Sequence, residues 1–398
     1  MPEQALAGLK VLDLTHFVAG PYCTRLLAGL GAEVIKVERP GVGDGARHIG
    51  PFPGDKPDPE KSGLFLHLNT GKKSITLDLK TDTGREISQR LSKEADILVE
   101  NFRPHVMPSL GLDYAALVQH HPKLVMTSIS NFGQTGPYRD YGATELGLYA
   151  TSGTMSMIGD PNREPIKKGG FMVQYTGGTN AFGATLVALW HALQTGEGQH
   201  VDIAINECAA TVVDEHTKAW TYAGKISKRE IGRGSTDHPS GLSRCKDGWV
   251  GVAVRPADRW PLFAEIIDPR LADPKYSTRP GRVQHRKELD EIITPWLMAH
   301  TKEEIYNIGQ KRRVAWGHVC NAEDLMNSPH LSARQFFVEL DHPEAGKLKY
   351  PGAPFGMGET PWQSARAPLL GEHNEEIYCG RLGYTKGDLA RLSQRGVI

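Results

Sequence analysis

The sequence predicts an α/β protein built on a doubly wound parallel sheet, because strand-like and helix-like segments alternate through its first two hundred residues. Buried-strand patterns occur at 9–15 (LKVLDLT) and 33–38 (EVIKVE), with helical spacing in PYCTRLLAGLGA between them. The half-exposed strand pattern SITLDLK follows at 74–80, and an amphipathic helix then leads into the strand DILVEN, which ends at Asn101. The unit repeats as LDYAALVQHHP and KLVMTSIS. Strands that alternate with helices in this way pair in parallel.

The composition of the sequence limits the classes of protein to which it can belong. The 398 residues are 39% hydrophobic and 23% charged, which suits one large domain or two ordinary ones with a sizeable core. The 46 basic and 46 acidic residues balance, so no bulk field favours nucleic acid or an acidic membrane. The five cysteines are scattered without C-x-x-C or metal-ligand spacing, which is typical of reduced thiols. With neither a signal peptide nor an apolar run of membrane-spanning length, the sequence predicts a soluble cytoplasmic protein without a metal.

The residue pattern changes twice along the chain, which predicts that the chain has three parts. Residues 1–222 form the amino-terminal part of a large Rossmann-like domain. Residues 223–314 form a smaller α+β domain, which begins at the polar, glycine-rich GKISKREIGRGSTDHPSG and continues with a hairpin strand and three helices. Residues 315–398 return to the large domain through the strand–turn–strand pattern VELDHPEAGKLKYPGAPF. The large domain is therefore expected to contain both ends of the chain.

The carboxyl ends of the predicted strands are the expected ligand-binding edge, because doubly wound sheets bind their ligands there. The segments that follow three of the strands are HFVAGP, RPGVGD and FRPH. A dinucleotide would require G-x-G-x-x-G directly after the first strand. The first turn, THFVAGPY, has one glycine, and GLGAEV precedes the second strand instead of following the first. The sequence therefore disfavours NAD and FAD.

Several strings of the sequence resemble the family III CoA-transferases. They include GLKVLDLTHFVAGPYCTRLLAGLGAEVIKVERPGVGD, LHLNTGKKSITLDLK, ADILVENFRPHV, SISNFGQTGPY and TGEGQHVDIAINE, in the order in which the family has them. The resemblance covers essentially the whole chain. It implies a Rossmann-like large domain built from both chain ends, a smaller domain between them, an interlocked dimer, and coenzyme A or an acyl-CoA as substrate.

Coenzyme A requires cations for its phosphates and apolar walls for its adenine. The resemblance places nine residues at the family's CoA site: His16, Phe17, Val18, Arg39, Leu68, Lys72, Asn101, Phe102 and Arg103. Arg39 follows the second strand, where its guanidinium could hold a phosphate. Taken singly, Arg39 and Lys72 are also typical of solvated surface charges, and His16 of a histidine without a ligand. The family often has a basic residue shortly after the NFRP string, where this chain has HVMPSL.

The nucleophile of the family is an aspartate, and the resemblance places Gln174, in GGFMVQYTGGTN, at its position. In the family the aspartate forms a mixed anhydride and then an aspartyl thioester, which divides one difficult exchange into easier steps. A glutamine amide is neutral and weakly nucleophilic. Its extra methylene also displaces the terminal group, and misplacing a nucleophile is costly. The sequence therefore predicts no catalytic nucleophile at this position.

Three other carboxylates of the sequence are candidate replacements for the missing nucleophile. Glu145 matches an acidic residue that many members have near the active site, where its role is supportive. Asp160 and Glu164 lie in the turn GDPN and just after it, which is typical of turn chemistry. Racemases of the same superfamily use a histidine and an aspartate, which would fall near Thr144 and at Gln174. Because both are absent, the sequence disfavours racemase activity.

Two classes of function follow from this departure. In one hypothesis the chain is a subunit of a heteromer, in which a related chain carries the aspartate and the pair moves CoA from an acyl-CoA such as succinyl-CoA to a carboxylic acid. A succinyl-CoA:benzylsuccinate CoA-transferase has two related chains of this kind. In the other, the chain is a homodimeric acyl-CoA-processing enzyme with altered chemistry that uses Glu145, or a scaffold that binds CoA thioesters. None of these involves nucleic acid or a membrane.

Overall fold

Six parallel strands form the central sheet of the structure, a computed structural model that describes residues 4–229, 237–254 and 259–398. The strands are β1 (Lys10–Asp13), β2 (Glu33–Glu38), β3 (Lys73–Thr76), β4 (Ile97–Glu100), β5 (Val125–Ser130) and β6 (His200–Ala204). Their order in the sheet is β3-β2-β1-β4-β5-β6. The order reverses between β1 and β4, which is the point where such sheets bind ligands. The predicted doubly wound α/β fold is confirmed.

The helices of this part of the chain connect the strands or follow β6. They are α1 (Ala19–Gly29), α2 (Gly63–Leu68), α3 (Asp82–Glu94), α4 (Val106–Leu110), α5 (Tyr114–Val118), α6 (Glu145–Thr151), α7 (Met172–Thr195), α8 (Ile205–Thr211) and α9 (Asp214–Ala223). The α3 helix begins where the Thr81 hydroxyl accepts a hydrogen bond from the Gly84 N–H. The 24-residue α7 helix ends at Gly196, whose φ of 81° only glycine adopts easily. The side chain of Phe171, which precedes the first helical residue Met172, makes no capping hydrogen bond.

A second unit of the chain comprises Ser156–Ile166 and Ala219–Ser332. Its elements are β7 (Ser240–Cys245), β8 (Gly248–Ala253), α10 (Trp260–Ile267), α11 (Arg279–Gln284), α12 (Arg286–Ala299), α13 (Lys302–Lys311), β9 (Gly317–His318), α14 (Ala322–Met326) and α15 (Pro329–Ala333), the last of which ends one residue beyond the unit. The three strands pair antiparallel. The predicted hairpin and the amphipathic helices are present. Residues 230–236 of the predicted linker, and residues 255–258 between β8 and α10, lie outside the described residues.

The carboxyl-terminal segment belongs to the first unit, which comprises Met1–Met155, Lys167–Lys218 and Ala333–Ile398. It contains β10 (Phe337–His342) and β11 (Gly346–Pro351), which pair as an antiparallel hairpin, a π-helix (Glu375–Arg381) and α16 (Lys386–Gln394). Side chains from the π-helix and α16 share one buried apolar cluster with β1 and β2. Both chain ends therefore build this unit. The predicted boundaries at 222 and 314, and the interlocked dimer, stay predictions.

The helices were also compared with the requirements of a membrane span. Across the ranges that the structure describes, none of them has both the length and the apolar character needed to cross a bilayer.

Candidate functional site

A cavity of about 350 Å³ opens at the carboxyl edge of the sheet, beside the point where the strand order reverses. Phe17 and Val18 reach it from the loop after β1, and Asn101 to Arg103 reach it from the loop after β4. Ser130, the last residue of β5, and Asn131 complete this side. The strand-end rule therefore identifies the loops that form the wall.

The loops after β1 and β4 are fixed to each other by paired hydrogen bonds. The His16 N–H donates to Asn101 Oδ1 over 2.8 Å, and Asn101 Nδ2 donates to the His16 carbonyl over 2.7 Å. The His16 ring packs on Phe102 with 5.8 Å between ring centroids. Burial and the nearby Lys36 ammonium lower the pKa of His16. The neighbouring carboxylates oppose this shift but do not cancel it. His16 is therefore a neutral support behind Phe102 and not a cation for a phosphate.

The backbone N–H groups of two aromatic residues in these loops donate to buried carboxyl groups. Phe17 adopts a φ of 64°, which is uncommon for a residue with a side chain, and its ring is half exposed. Its N–H donates to Asp44 Oδ1 over 2.9 Å, which holds this conformation. The Phe102 N–H donates to Glu100 Oε2 over 2.7 Å. Buried carboxyl groups thus set the direction in which both aromatic side chains leave the sheet.

Glu100, the last residue of β4, has an unusual environment for a carboxyl group. Burial raises its pKa to about 7, although hydrogen bonds from the Ser128 hydroxyl and the Phe102 N–H oppose the shift, and the Asp202 carboxylate adds to it. The Ser128 hydroxyl is also within 2.8 Å of His200 Nε2. Glu100 supports the cavity wall through the backbone of Phe102.

The residue that the resemblance places at the nucleophile position of the family lies in the first turn of α7. Gln174 is the third residue of that helix and lines the cavity. Glu145, the first residue of α6, accepts the Val173 N–H at Oε1 over 3.1 Å and the Gln174 N–H at Oε2 over 3.3 Å. A carboxylate at this place satisfies unpaired N–H groups and suits the positive end of the helix dipole. Glu145 therefore acts as the cap of α7.

Among the described residues around the cavity, Glu145 supplies the single carboxylate, and Arg103 and Arg139 supply two guanidinium groups. Arg139 lies 3.5 Å from the carboxylate of its neighbour Asp140, and both side chains are well exposed. The wall is otherwise aromatic, aliphatic or neutral and polar, with Phe171 and Tyr141 among its members. The cavity thus suits an anion that carries an apolar part.

Three of the predicted CoA-site residues lie elsewhere. Lys72 is buried, and its ammonium lies 3.0 Å from Asp13 Oδ2 while donating to the Pro21 carbonyl and to Asn69 Oδ1. Leu68, at the end of α2, is fully buried in an apolar cluster. Arg39 follows β2 on the exposed surface. The structure brings together Phe17, Val18, Asn101, Phe102 and Arg103, with His16 behind them.

Lys72 belongs to a buried charge network, which we define as Asp13, Lys36, Asp44 and Lys72. Lys36 Nζ lies 2.8 Å from Asp44 Oδ2, and all four side chains are inaccessible to solvent. Burial alone would raise the pKa of Asp13, but the Lys72 and Lys36 ammoniums hold it well below its ordinary value. The network fills the carboxyl end of β1 and β2 with paired charges.

Sequence reasoning missed several residues of the cavity. Ser130 ends the strand KLVMTSIS and Asn131 follows it, so the strand-end rule that predicts Asn101 also applies to them. Arg139 and Tyr141 come from a loop without any periodic pattern, and no signal in the sequence marks them. Asp160 lies in the second unit, where its Oδ1 accepts the Asn162 N–H over 2.8 Å, as the turn pattern predicts.

Comparison with known proteins identifies the family. The chain matches the pattern of CoA-transferase family III over residues 6–374. This chain belongs to CoA-transferase family III. The resemblance found in the sequence is confirmed, and the family acts on CoA thioesters. Within the described ranges, the family III chain has no group of three or more His, Cys, Asp or Glu side chains that could hold a metal ion.

Individual relatives of this family III chain cover its full length. A succinyl-CoA–D-citramalate CoA-transferase of Chloroflexus aurantiacus is 34% identical over 100% of this chain and 99% of its own. The BbsE subunit of the succinyl-CoA:(R)-benzylsuccinate CoA-transferase of Thauera aromatica is 32% identical over 99% of this chain and 98% of its own. A crystal structure of a CaiB/BaiF family protein from Brucella suis is 29% identical, with a TM-score of 0.85 over 95% of this chain and 99% of that one.

Proposed function

We propose that this chain is the non-nucleophilic subunit of a heteromeric family III CoA-transferase, in which a related chain carries the aspartate. One observation carries the proposal. The side chain that enters the cavity from the first turn of α7 is the neutral amide of Gln174. The carboxylate beside it, Glu145, already accepts hydrogen bonds from two N–H groups of that helix. An amide cannot form the acyl anhydride that the family's mechanism requires.

The substrates follow from the relatives. Two of them are named for the transfer of CoA from succinyl-CoA to a carboxylic acid, and one of these two is named as a subunit. We assign the pair of chains the same class of reaction, with an acyl-CoA such as succinyl-CoA as donor and a carboxylic acid as acceptor. The partner is a family III subunit with an aspartate at the position of Gln174. We place this assembly in the cytoplasm, in keeping with the free thiols of the five cysteines.

For the CoA thioester we assign the cavity wall formed by Phe17, Val18, Asn101, Phe102 and Arg103. Phe17 and Phe102 supply apolar faces, and Arg103 supplies a guanidinium that holds phosphate or carboxylate oxygens. Arg39 lies at the same edge of the sheet, after β2, and stays a candidate for a phosphate outside the cavity. Lys72 and Leu68 are assigned to the interior of the fold.

A homodimeric enzyme that uses Glu145 is the second candidate, because this carboxylate lines the cavity. The helix cap opposes it. A carboxylate that accepts two backbone N–H groups loses nucleophilicity, and releasing it would leave the first turn of α7 without a partner. This candidate predicts that the isolated chain reacts with an acyl-CoA.

The decisive experiment combines assembly with trapping of the covalent intermediate. Native mass spectrometry of the chain purified from its host should reveal a second family III subunit. Incubated with succinyl-CoA, the isolated chain should form no adduct that hydroxylamine cleaves, whereas Gln174→Asp should form one, because it restores the nucleophile to the family's position. Gln174→Asn is the matched control and should form none. A homodimer that forms the adduct without any substitution would establish the Glu145 candidate instead.

A further inference from the structure

Ser130 is a buried residue whose hydroxyl has no partner within the part of the chain that the structure describes. It is 7% exposed and ends β5 at the cavity, and its Oγ finds no hydrogen-bond partner among the described residues. The two preceding hydroxyls of the strand are satisfied. Thr127 Oγ1 lies 2.7 Å from Thr185 Oγ1, and Ser128 Oγ lies 2.8 Å from His200 Nε2. Because buried polar groups are nearly always paired, the exception at the cavity indicates a ligand atom.

The electrostatics of the cavity favour a negative ligand. Arg103 and Arg139 line the cavity together with Glu145, whose oxygens already accept two backbone N–H groups of α7. Arg139 also lies 3.5 Å from the carboxylate of Asp140. Gln174 itself is neutral, so its amide offers two N–H donors where an aspartate would repel an anion. The cavity therefore combines a buried hydroxyl donor, an amide donor and two guanidinium groups.

We propose that Ser130 and Gln174 donate hydrogen bonds to the carboxylate of a free carboxylic acid, which this cavity holds as its anion without forming a covalent bond. The inference rests on the proposed function, because it gives the non-nucleophilic chain a binding task of its own. The Ser130 hydroxyl meets one carboxylate oxygen, the Gln174 amide meets the other, and the guanidinium groups balance the charge. Gln174 is then a ligand-binding residue, and its amide is needed for that task.

This arrangement predicts opposite effects of one substitution on stability and on binding. Ser130→Ala removes an unsatisfied buried hydroxyl, so the free chain should unfold at the same or a higher temperature. The same variant should bind a carboxylate about tenfold more weakly, because a hydrogen bond to a charged group is lost. If the hydroxyl had a purely structural role, removing it would not weaken carboxylate binding while leaving the unfolding temperature the same or higher.

The test is calorimetric titration of the full-length chain with sodium succinate and with succinamide, a neutral analogue of the same shape. Succinate should bind, and succinamide should bind at least tenfold more weakly. Gln174→Glu should weaken succinate binding at least tenfold through like-charge repulsion, while the fold tolerates an acidic residue in the first turn of a helix. Ser109→Ala removes an exposed hydroxyl of α4 that bonds the Val106 carbonyl, and it should leave the affinity unchanged.

The proposal is overturned if succinate and succinamide bind equally, if succinate does not bind, or if Ser130→Ala lowers the unfolding temperature without changing the affinity. These outcomes are separate from those of the proposed function. Titration needs neither a partner chain nor a reaction, so a homodimer with its own covalent adduct would refute the heteromer and leave the titration result to be judged by itself.

Discussion

Two regions at the carboxyl edge of the same sheet treat charge in opposite ways. In the buried charge network, at the ends of β1 and β2, Asp13 and Asp44 are paired with Lys72 and Lys36, and water is excluded. In the cavity, beside the ends of β4 and β5, two guanidinium groups line the wall together with one carboxylate that caps a helix. The first region is complete without a ligand. The second has guanidinium groups at its wall and a Ser130 hydroxyl without a hydrogen-bond partner in the described part of the chain.

The difference teaches which charges are available for function. A sequence pattern can place a cation at a binding edge although a carboxylate of the fold already pairs with it, as happens to Lys72. Such a cation is not available to a ligand. Breaking a buried pair is strongly destabilising because the remaining charge has no compensation. A cation at the rim, such as Arg103, costs the fold little and can be offered to a ligand. Substitutions in the two regions should therefore change different quantities.

The largest effect is expected for Lys72→Met. Removing its ammonium leaves Asp13 buried with one cation fewer, so the free energy of unfolding should fall by about 3–5 kcal/mol. The adjacent Lys73 is a matched control, since it pairs with Glu33 and Glu376 on the surface and its side chain is 31% exposed. Lys73→Met should cost about 1 kcal/mol or less. Denaturant unfolding measures both.

A second measurement shows whether Lys72 also contacts CoA. Adding Asp13→Asn to Lys72→Met removes both charges of the pair and should recover part of the lost stability, with CoA affinity unchanged throughout. Equal losses for Lys72→Met and Lys73→Met would refute the buried pair. A selective loss of CoA affinity in Lys72→Met would return this lysine to the CoA site.

The next largest effect concerns pH. Glu100 ionises near 4.5 in the unfolded chain and near 7 in the folded one. Between these values the folded chain binds more protons, so the contribution of Glu100 to the free energy of unfolding decreases as pH rises. Glu100→Gln removes this titration. Relative to the unchanged chain, the variant should gain up to roughly 3 kcal/mol between acidic conditions and pH 8.

Unfolding at several pH values tests this expectation, and Glu94→Gln supplies the comparison. Glu94 is 38% exposed at the end of α3 and pairs loosely with Lys10, so its variant should follow the unchanged chain at every pH. If Glu100→Gln also follows it, then Glu100 is ionised throughout and the wall behind Phe102 is hydrated.

Much of the fold could be predicted from the sequence because the signals are local. The alternation of strand and helix patterns predicts the sheet, and the strand-end rule predicts Phe17, Asn101 and Arg103 at the ligand edge. Gln174 was found through the spacing of a family motif. Its position in the first turn of α7, at the cavity, agrees with that interpretation. These inferences use neighbouring residues or a fixed spacing.

Long-range partners could not be predicted in this way. A lysine after the Asn69–Gly71 turn gives the same pattern whether it faces solvent or Asp13, which lies 59 residues earlier in the chain. Burial of that pair depends on how β1 and β3 lie in one sheet. Arg139 enters the cavity from a loop whose path depends on tertiary packing, so no periodicity in the sequence marks it.

The smallest effect decides the role of Glu145. Glu145→Gln keeps the shape of the side chain but removes the negative charge at the start of α7, so the free energy of unfolding should fall by about 1 kcal/mol. Hydrogen exchange at the Val173 and Gln174 amides should become faster, because the charge-assisted bonds to the cap are lost. If stability and exchange are both unchanged, the carboxylate is not engaged by the helix and is free for chemistry. The cavity would then have a reactive acid of its own, and its contrast with the buried charge network would lie only in exposure to water.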